Sequence, residues 1–187
     1  MTATSSAFAS ASSSTSHSSS SASSSDADRQ AITDLIYLYC RSMDRRDAPL
    51  GYTVFHDDAV TDYGEGFYSG SGHGFIDWVT ELHASFTTHS HQITNIILQI
   101  DGDRAESESY AIVALRQMQD GKLMQITGWC RYLDQWSKRA GRWAIDKRQL
   151  VMDLDELRPV TPLTAAPYGK RDKTDPSYDL FAGRWRG

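Results

Sequence analysis

The chain has few cysteines, no long hydrophobic run and no excess of basic residues, and each absence excludes a class of protein. Its 187 residues include two cysteines, Cys40 and Cys130, which form neither a disulfide framework nor a zinc-binding pattern. No apolar run approaches the roughly 20 residues that a membrane-spanning helix needs. The net charge of −5 argues against a nucleic-acid-binding surface. We therefore expect a cytoplasmic protein that binds neither membranes nor nucleic acid.

Sequence motifs for common cofactors are also missing. The chain has no P-loop, no dinucleotide-binding glycine motif, no zinc-peptidase motif and no serine-hydrolase motif. His89 and His91 alternate in a strand-like run and could supply two metal ligands, but no third ligand lies at a recognisable spacing. We therefore predict a protein that works without a metal or an organic cofactor.

Composition divides the chain into three parts. Residues 1–25 are almost entirely Ser, Ala and Thr, with too little apolar surface to fold and without the features of a signal peptide. We predict a disordered tail there, followed by one domain over residues 26–155. The remaining residues, 156–187, are predicted to be irregular and either to cover the binding pocket or to contact a neighbouring subunit.

The first half of the domain reads as helical. Apolar residues at helical spacing predict a first helix that starts at Asp26 or Asp28 and ends near Asp44. A short second helix is predicted over residues 48–55, and a third amphipathic helix from Phe75 to Phe86. Between the last two, the sequence predicts short strands at residues 59–63 and 67–69.

From His89 onward the apolar period changes to two, which predicts strands. Helices followed by an antiparallel meander indicate an α+β domain with its helices on one face of the sheet. Long strands beside three helices favour a curved, cone-shaped sheet whose hollow forms the binding site. The predicted strands lie at about 90–101, 103–118, 122–138 and 142–154, and the predicted hairpin turns are Asp101-Gly102, Asp120-Gly121 and Ala140-Gly141.

Asp44 and His91 are the strongest candidates for catalytic residues. Asp44 lies at the end of the first helix, where the helix dipole does not favour a carboxylate, and His91 opens the first long strand. A carboxylate beside an imidazole holds the ring in one tautomer and raises its basicity, which suits proton abstraction from carbon. The alternatives are an exposed aspartate before a turn and a structural, hydrogen-bonded histidine.

Further polar residues could complete such a site. Arg148 on the last strand could polarise a substrate oxygen or assist a leaving group, and a salt bridge at the rim is the alternative. Tyr39 lies five residues before Asp44, and its hydroxyl could donate to a substrate oxygen unless it belongs to the core. Alternation does not decide whether Arg131 points inward. The candidate substrate-binding residues are Tyr63, Tyr110, Trp78, Asn95, Arg131 and Met152.

The order of these elements, together with four stretches of sequence, resembles the SnoaL-like branch of the nuclear transport factor 2-like superfamily. The resemblance covers residues 27–155 and is carried by AITDLIYLYCRSMDRRD, FHDDAVTDYG, SHQITNIILQIDGDRAESESY and GWCRYLDQWSKRAGRWAIDKRQLVMD. It implies an α+β cone in which a curved antiparallel sheet wraps around three helices. Within the family's pattern, Asp44 matches a helix-end catalytic aspartate and His91 a strand histidine, while Tyr39 and Arg148 match further active-site positions.

The resemblance implies a lyase. Enzymes of this family include dehydratases, dehydrochlorinases and formaldehyde-releasing lyases that act on hydrophobic rings by acid–base chemistry. We therefore expect loss of water or formaldehyde from an aromatic substrate, such as a lignin-derived diaryl compound, catalysed by a homodimer or homotrimer. Two alternatives stay open. An isomerase or cyclase would use the same pair of residues, and a non-catalytic subunit or small-ligand binder would not need them.

Overall fold

The computed structural model of the chain describes residues 18–163 and 169–181, with side chains from Ser25 onward. Helices and short strands come first, and four long strands follow. The elements in chain order are α1 (Ser18–Arg45), α2 (Ala48–Tyr52), β1 (Phe55–Asp62), β2 (Ser69–Ser71), α3 (Gly72–Leu82), a 3-10 turn (His83–Ser85), β3 (Thr88–Asp101), β4 (Arg104–Gln119), β5 (Lys122–Arg139), β6 (Arg142–Pro159) and α4 (Ser177–Leu180).

The strands form a single six-stranded sheet in the order β2-β1-β6-β5-β4-β3. Strands β3 to β6 make an antiparallel meander, and β1 joins β6 in parallel. The parallel pairing was not expected from the sequence, because β1 and β6 are separated by most of the domain and no hairpin links them. Helices α1 and α3 pack against the sheet over a shared apolar core, so the predicted α+β cone is confirmed.

Helix α1 supplies the central apolar stripe of the core. Ile32, Ile36, Tyr39 and Met43 follow one another at helical spacing and are all buried. The helix begins at Ser18, earlier than the expected start at Asp26 or Asp28, so residues 18–25 of the predicted tail are helical. No glycine or proline interrupts this stretch, and nothing local therefore stops the helix. The rest of the predicted tail lies outside the described residues.

The later boundaries differ from the predictions by a few residues. Helix α2 was predicted to reach residue 55 but ends at Tyr52, and β1 begins at Phe55. Strand β6 continues to Pro159, beyond its predicted end at residue 154. The first hairpin turn is Gly102-Asp103 rather than Asp101-Gly102, since Asp101 pairs with Arg104. No helix among the described residues is long and apolar enough to cross a membrane.

A β-bulge in β3 decides which of its side chains face the helices. Ile93 pairs with Ala111 and Ile96 with Ser109, so β3 carries one extra residue between these two pairs. Beyond the bulge the alternation is reversed: Leu98 is 7% exposed, whereas Ile97 is 54% exposed. Asn95, a predicted substrate-binding residue, is therefore exposed and does not line the cavity, so that prediction is corrected.

Candidate active site

The end of α1 and the start of β3 bring Asp44 and His91 into contact. The Asp44 carboxylate accepts a hydrogen bond from the His91 backbone N–H, at 3.1 Å to each oxygen. It also lies 2.6 Å from Nδ1 of the His91 ring. The two side chains are 13% and 5% exposed. The backbone hydrogen bond fixes the strand against the helix end, so the ring and the carboxylate are held in register by the fold itself.

This contact fixes the protonation pattern of the neutral ring. An ionised carboxylate only accepts hydrogen bonds, so Nδ1 of His91 carries the proton that it donates to Asp44. The lone pair of the ring then lies on Nε2. His91 lines a cavity between the helices and the sheet, whereas Asp44 does not line it and lies behind His91. The arrangement is that of a base held in one tautomer by a carboxylate.

The cavity that His91 borders has a volume of about 420 Å³ and a mostly apolar wall. Its side chains come from α1, from α3 and the turn that follows it, from the loop between β1 and β2, and from the concave face of the sheet. Trp78 and Met152, both predicted substrate-binding residues, are part of this wall. A cavity of this size and lining suits a small apolar molecule. Its aromatic and aliphatic residues are Tyr39, Met43, Tyr63, Phe67, Phe75, Trp78, Val79, Leu82, Phe86, Val113, Leu115, Ile126, Tyr132, Leu150 and Met152.

Two tyrosine hydroxyls meet in the wall of the same cavity. The Tyr39 and Tyr63 hydroxyl oxygens are 2.9 Å apart, and the Tyr63 ring stacks on Phe75. Burial raises the pKa of Tyr39 to about 12, against the opposing influence of the Arg148 charge, and burial also raises the pKa of Tyr63. Both phenols therefore keep their protons near pH 7, and the pair can donate a hydrogen bond into the cavity.

Arg148 lies one layer behind these tyrosines. It is completely buried and makes a bidentate ion pair with Asp134, with Nε–Oδ1 at 2.7 Å and Nη2–Oδ2 at 2.8 Å. Its guanidinium carbon is 4.1 Å from the centre of the Tyr39 ring and 4.5 Å from that of Tyr132. Arg148 is not part of the cavity wall, so the expectation that it meets the substrate directly is corrected: it faces inward but lies beneath the tyrosines.

Arg131 and Tyr110 stand on the opposite face of the sheet. Cys130 and Tyr132 line the cavity, so strand alternation turns Arg131 outward between them. There it pairs with Asp153 and Glu108, at 2.8 and 2.9 Å, and lies over the Tyr110 ring. The prediction that Arg131 and Tyr110 bind substrate in this cavity is therefore wrong.

Both cysteines are buried and free, and Cys130 borders the cavity. Burial raises the pKa of the Cys130 thiol to about 11 and that of the Cys40 thiol to about 12. The reactive form of cysteine is the thiolate, so neither residue is an available nucleophile near pH 7. Within the described part of the chain, no group of three or more His, Cys, Asp or Glu side chains could hold a metal ion.

His83 is a cavity residue that the sequence prediction missed. It follows α3 directly, is 5% exposed and borders the cavity together with His91. A signal was present, because His83 lies four residues after Val79 and eight after Phe75, on the same face of the amphipathic helix. The apolar residues of that face indicate core packing, and a histidine at its end is the polar exception that marks the cavity.

The described part of the C-terminal segment, residues 169–181, packs on the outside of the α1–α2 junction. Lys173 and Tyr178 each reach the Asp47 carboxylate at 2.7 Å, and Asp175 pairs with Arg45 at 3.3 Å. The segment thus braces the helix end that carries Asp44. The expected cover over the pocket is not seen in residues 169–181, and the expected subunit contact stays a prediction.

Sequence comparison identifies the family of the chain. A family model described as "SnoaL-like domain" matches residues 25–149, which is more than half of the protein. No curated protein matches the chain significantly.

Several solved structures share the fold. The crystal structure of LinA aligns with a TM-score of 0.66 at 22% identity, covering 79% of this chain and 99% of LinA. A LinA-type3 hexachlorocyclohexane dehydrochlorinase from Novosphingobium barchaimii LL02 aligns with a TM-score of 0.64 at 20% identity, covering 77% and 97%. A candidate scytalone dehydratase from Novosphingobium aromaticivorans DSM 12444 gives a TM-score of 0.63 at 18% identity, covering 78% and 99%. At these identities the similarity shows the fold alone.

Proposed function

Since the chain belongs to the SnoaL-like family, within the nuclear transport factor 2-like superfamily, we propose that it is a cofactor-independent lyase acting on a hydrophobic, aromatic substrate. The observation that carries this proposal is the contact between Asp44 and His91 at the wall of an apolar cavity. A histidine with a purely structural role would not have to border an apolar cavity, as His91 does. The names of two fold neighbours, a dehydrochlorinase and a candidate scytalone dehydratase, also describe eliminations.

His91 acts as the base in the proposed reaction. Its Nε2 takes a proton from the substrate, and Asp44 stabilises the imidazolium that forms. The electron pair of the broken C–H bond forms the new double bond as a C–O bond breaks. The departing hydroxyl takes a proton from the Tyr39–Tyr63 pair and leaves as water. The proton held by His91 then restores the tyrosine, so both groups return to their starting state.

The same groups serve the loss of formaldehyde. This route starts when a benzylic hydroxyl leaves as water with a proton from the Tyr39–Tyr63 pair and the substrate's phenol gives its proton to water, which leaves a quinone-methide-like ring. His91 then takes the proton of a hydroxymethyl O–H on the substrate. The C–C bond to the hydroxymethyl carbon breaks as the carbonyl of formaldehyde forms. Its electron pair makes the new C=C bond and returns the ring to a phenolate. In both reactions the proton transfers to the leaving hydroxyl and to the base are made by side chains that line the cavity.

Arg148 supports this chemistry from behind. Its positive charge lies against the Tyr39 ring, and it acts against the rise in the Tyr39 pKa that burial causes. A phenol that donates a proton becomes a phenolate, which a buried cation stabilises. We therefore assign Arg148 as a positioning residue that acts through the tyrosines, not as a residue that touches the substrate.

The test is a screen of the purified protein against side-chain-hydroxylated diaryl compounds, with product detection by mass spectrometry. The proposal predicts a product lighter by water, by formaldehyde or by both, and turnover that survives exhaustive dialysis against a chelator. A product of unchanged mass would replace the lyase by an isomerase or cyclase. Binding without any turnover would support the small-ligand binder instead. Light scattering tests the homodimer or homotrimer, which stays a prediction.

A further inference from the structure

The cavity contains a second imidazole that the proposed reaction does not use. The ring of His83 lies 6.0 Å from the ring of His91, measured between ring centres, and His83 is 5% exposed. Among the described residues, no group donates to its ring nitrogens or accepts from them, although its backbone carbonyl has a partner. A neutral imidazole carries one N–H donor and one lone pair, and the cavity that His83 borders is where a ligand could engage them.

The position of this ring is well defined. Arg171 of the C-terminal segment donates a hydrogen bond to the His83 carbonyl at 2.8 Å. The His89 ring packs at 4.3 Å from the His83 ring, and the Phe86 ring meets it edge-on at 5.8 Å, both between ring centres. The imidazole is therefore held against its neighbours from the protein side and borders the cavity on the other.

The charge state of the His83 ring limits which chemical groups of a ligand can bind it. Burial, reinforced by the nearby histidines and arginines, lowers the pKa of His83 to about 3. The ring is therefore neutral near pH 7 and offers one N–H donor and one lone pair. A neutral imidazole in a mostly apolar wall suits an uncharged oxygen group such as a hydroxyl. Arg46 and Arg171, whose charges help to lower the His83 pKa, do not line the cavity and so cannot pair there with a carboxylate.

We infer that His83 is a substrate-binding residue that hydrogen-bonds an uncharged hydroxyl group of the substrate, at a point in the cavity distinct from His91 and the Tyr39–Tyr63 pair. This inference rests on the proposed function, because it takes the cavity to be the substrate site. It adds a requirement: the substrate carries two oxygen groups, one at the reacting centre and a second on the part of the molecule that reaches His83.

A matched pair of two-ring ligands tests this directly. The probes are 4-benzylphenol and 4,4′-methylenediphenol, which differ by one hydroxyl, and their Kd values are measured by calorimetry on the full chain. One neutral hydrogen bond should tighten binding of the diphenol by about three- to tenfold in the wild type, more than the roughly twofold gain that its two equivalent orientations give. His83→Phe should reduce the gain to that orientation factor, and His83→Gln should keep most of it.

Several results would overturn the inference. These are an unchanged diphenol gain in His83→Phe, no gain in the wild type, and failure of both probes to bind the wild type. Circular dichroism checks that the variants fold, and in the wild type the NMR signals of the His83 ring should shift more with the diphenol than with the monophenol. If neither variant folds, an equal shift with both probes contradicts the inference. Because binding needs no turnover, this result is independent of whether the protein proves to be a lyase.

Discussion

Arg148 and Arg131 stand on neighbouring strands of one sheet, and each pairs with an aspartate on the other strand. Arg148 on β6 meets Asp134 on β5, and Arg131 on β5 meets Asp153 on β6. The inner pair is completely buried, whereas the outer pair stays partly exposed. The same kind of ion pair therefore has two different settings. The inner pair places a buried charge next to the tyrosines of the cavity wall, and the outer pair is a solvated surface contact.

The comparison shows why an arginine near a cavity need not touch a ligand. Asp134 neutralises Arg148, and the rings of Tyr39 and Tyr132 pack against its guanidinium. A substrate in the cavity would meet the hydroxyls of Tyr39 and Tyr63 instead. The charge of Arg148 can therefore act on a ligand in the cavity only through the tyrosines, and the charge of Arg131 does not reach the cavity.

Breaking the inner pair is the largest change in stability that we predict. Arg148→Met leaves the Asp134 carboxylate buried without its partner, and this typically costs about 3–5 kcal/mol of unfolding free energy. Chemical denaturation measures the loss. Replacing both partners, as Arg148→Met with Asp134→Leu, should recover most of it, because no charge is then left uncompensated. A double variant as unstable as the single one would contradict this account of the pair.

Acid should lower the free energy of unfolding, because two buried histidines on the inner side of the sheet have lowered pKa values. Burial lowers the pKa of His83 to about 3, and burial together with Arg171 and His91 lowers the pKa of His89 to about 4. Both lie below the ordinary value of 6.5, so the unfolded chain binds more protons than the folded one between about pH 6.5 and pH 4. Stability is therefore complete above this window and falls as the pH drops through it.

The size of this dependence can be measured variant by variant. Near pH 5 the two histidines account for about two protons taken up on unfolding, and His89→Gln should reduce the uptake by about one. The slope of unfolding free energy against pH gives this number. An unchanged slope in His89→Gln would show that this ring is already charged in the folded protein. His73, whose Nε2 bonds the Tyr52 carbonyl outside the cavity, supplies a control variant, His73→Gln.

Breaking the outer pair is the smallest change that we predict. Arg131→Met removes exposed ion pairs with Asp153 and Glu108, and such pairs contribute little to stability. The melting temperature and the turnover of this variant should both stay close to those of the wild type. A clear loss of turnover would mean that the outer face takes part in the reaction, contrary to the orientation seen here.

The sequence predicted the elements that depend on local patterns. Asp44 and His91 were found because a helix end and a strand start are visible in the periodicity, and the cone follows from helices that precede a meander. The position of Asn95 is not predictable in the same way, because a one-residue bulge after Ile93 reverses the alternation of β3 and leaves no clear mark in the sequence. The parallel pairing of β1 with β6 and the depth of Arg148 depend on tertiary packing, which periodicity does not encode.

The kinetics of the Asp44 and His91 variants test the central claim most directly. On a substrate from the diaryl screen, His91→Ala and Asp44→Asn should each lose about 10²–10⁴-fold in kcat while remaining folded, as expected for the loss of a general base. The double variant should be little slower than either single variant, because the two residues act as one unit. His73→Gln should keep wild-type turnover. Near-wild-type turnover by His91→Ala would contradict the assignment of His91 as the base.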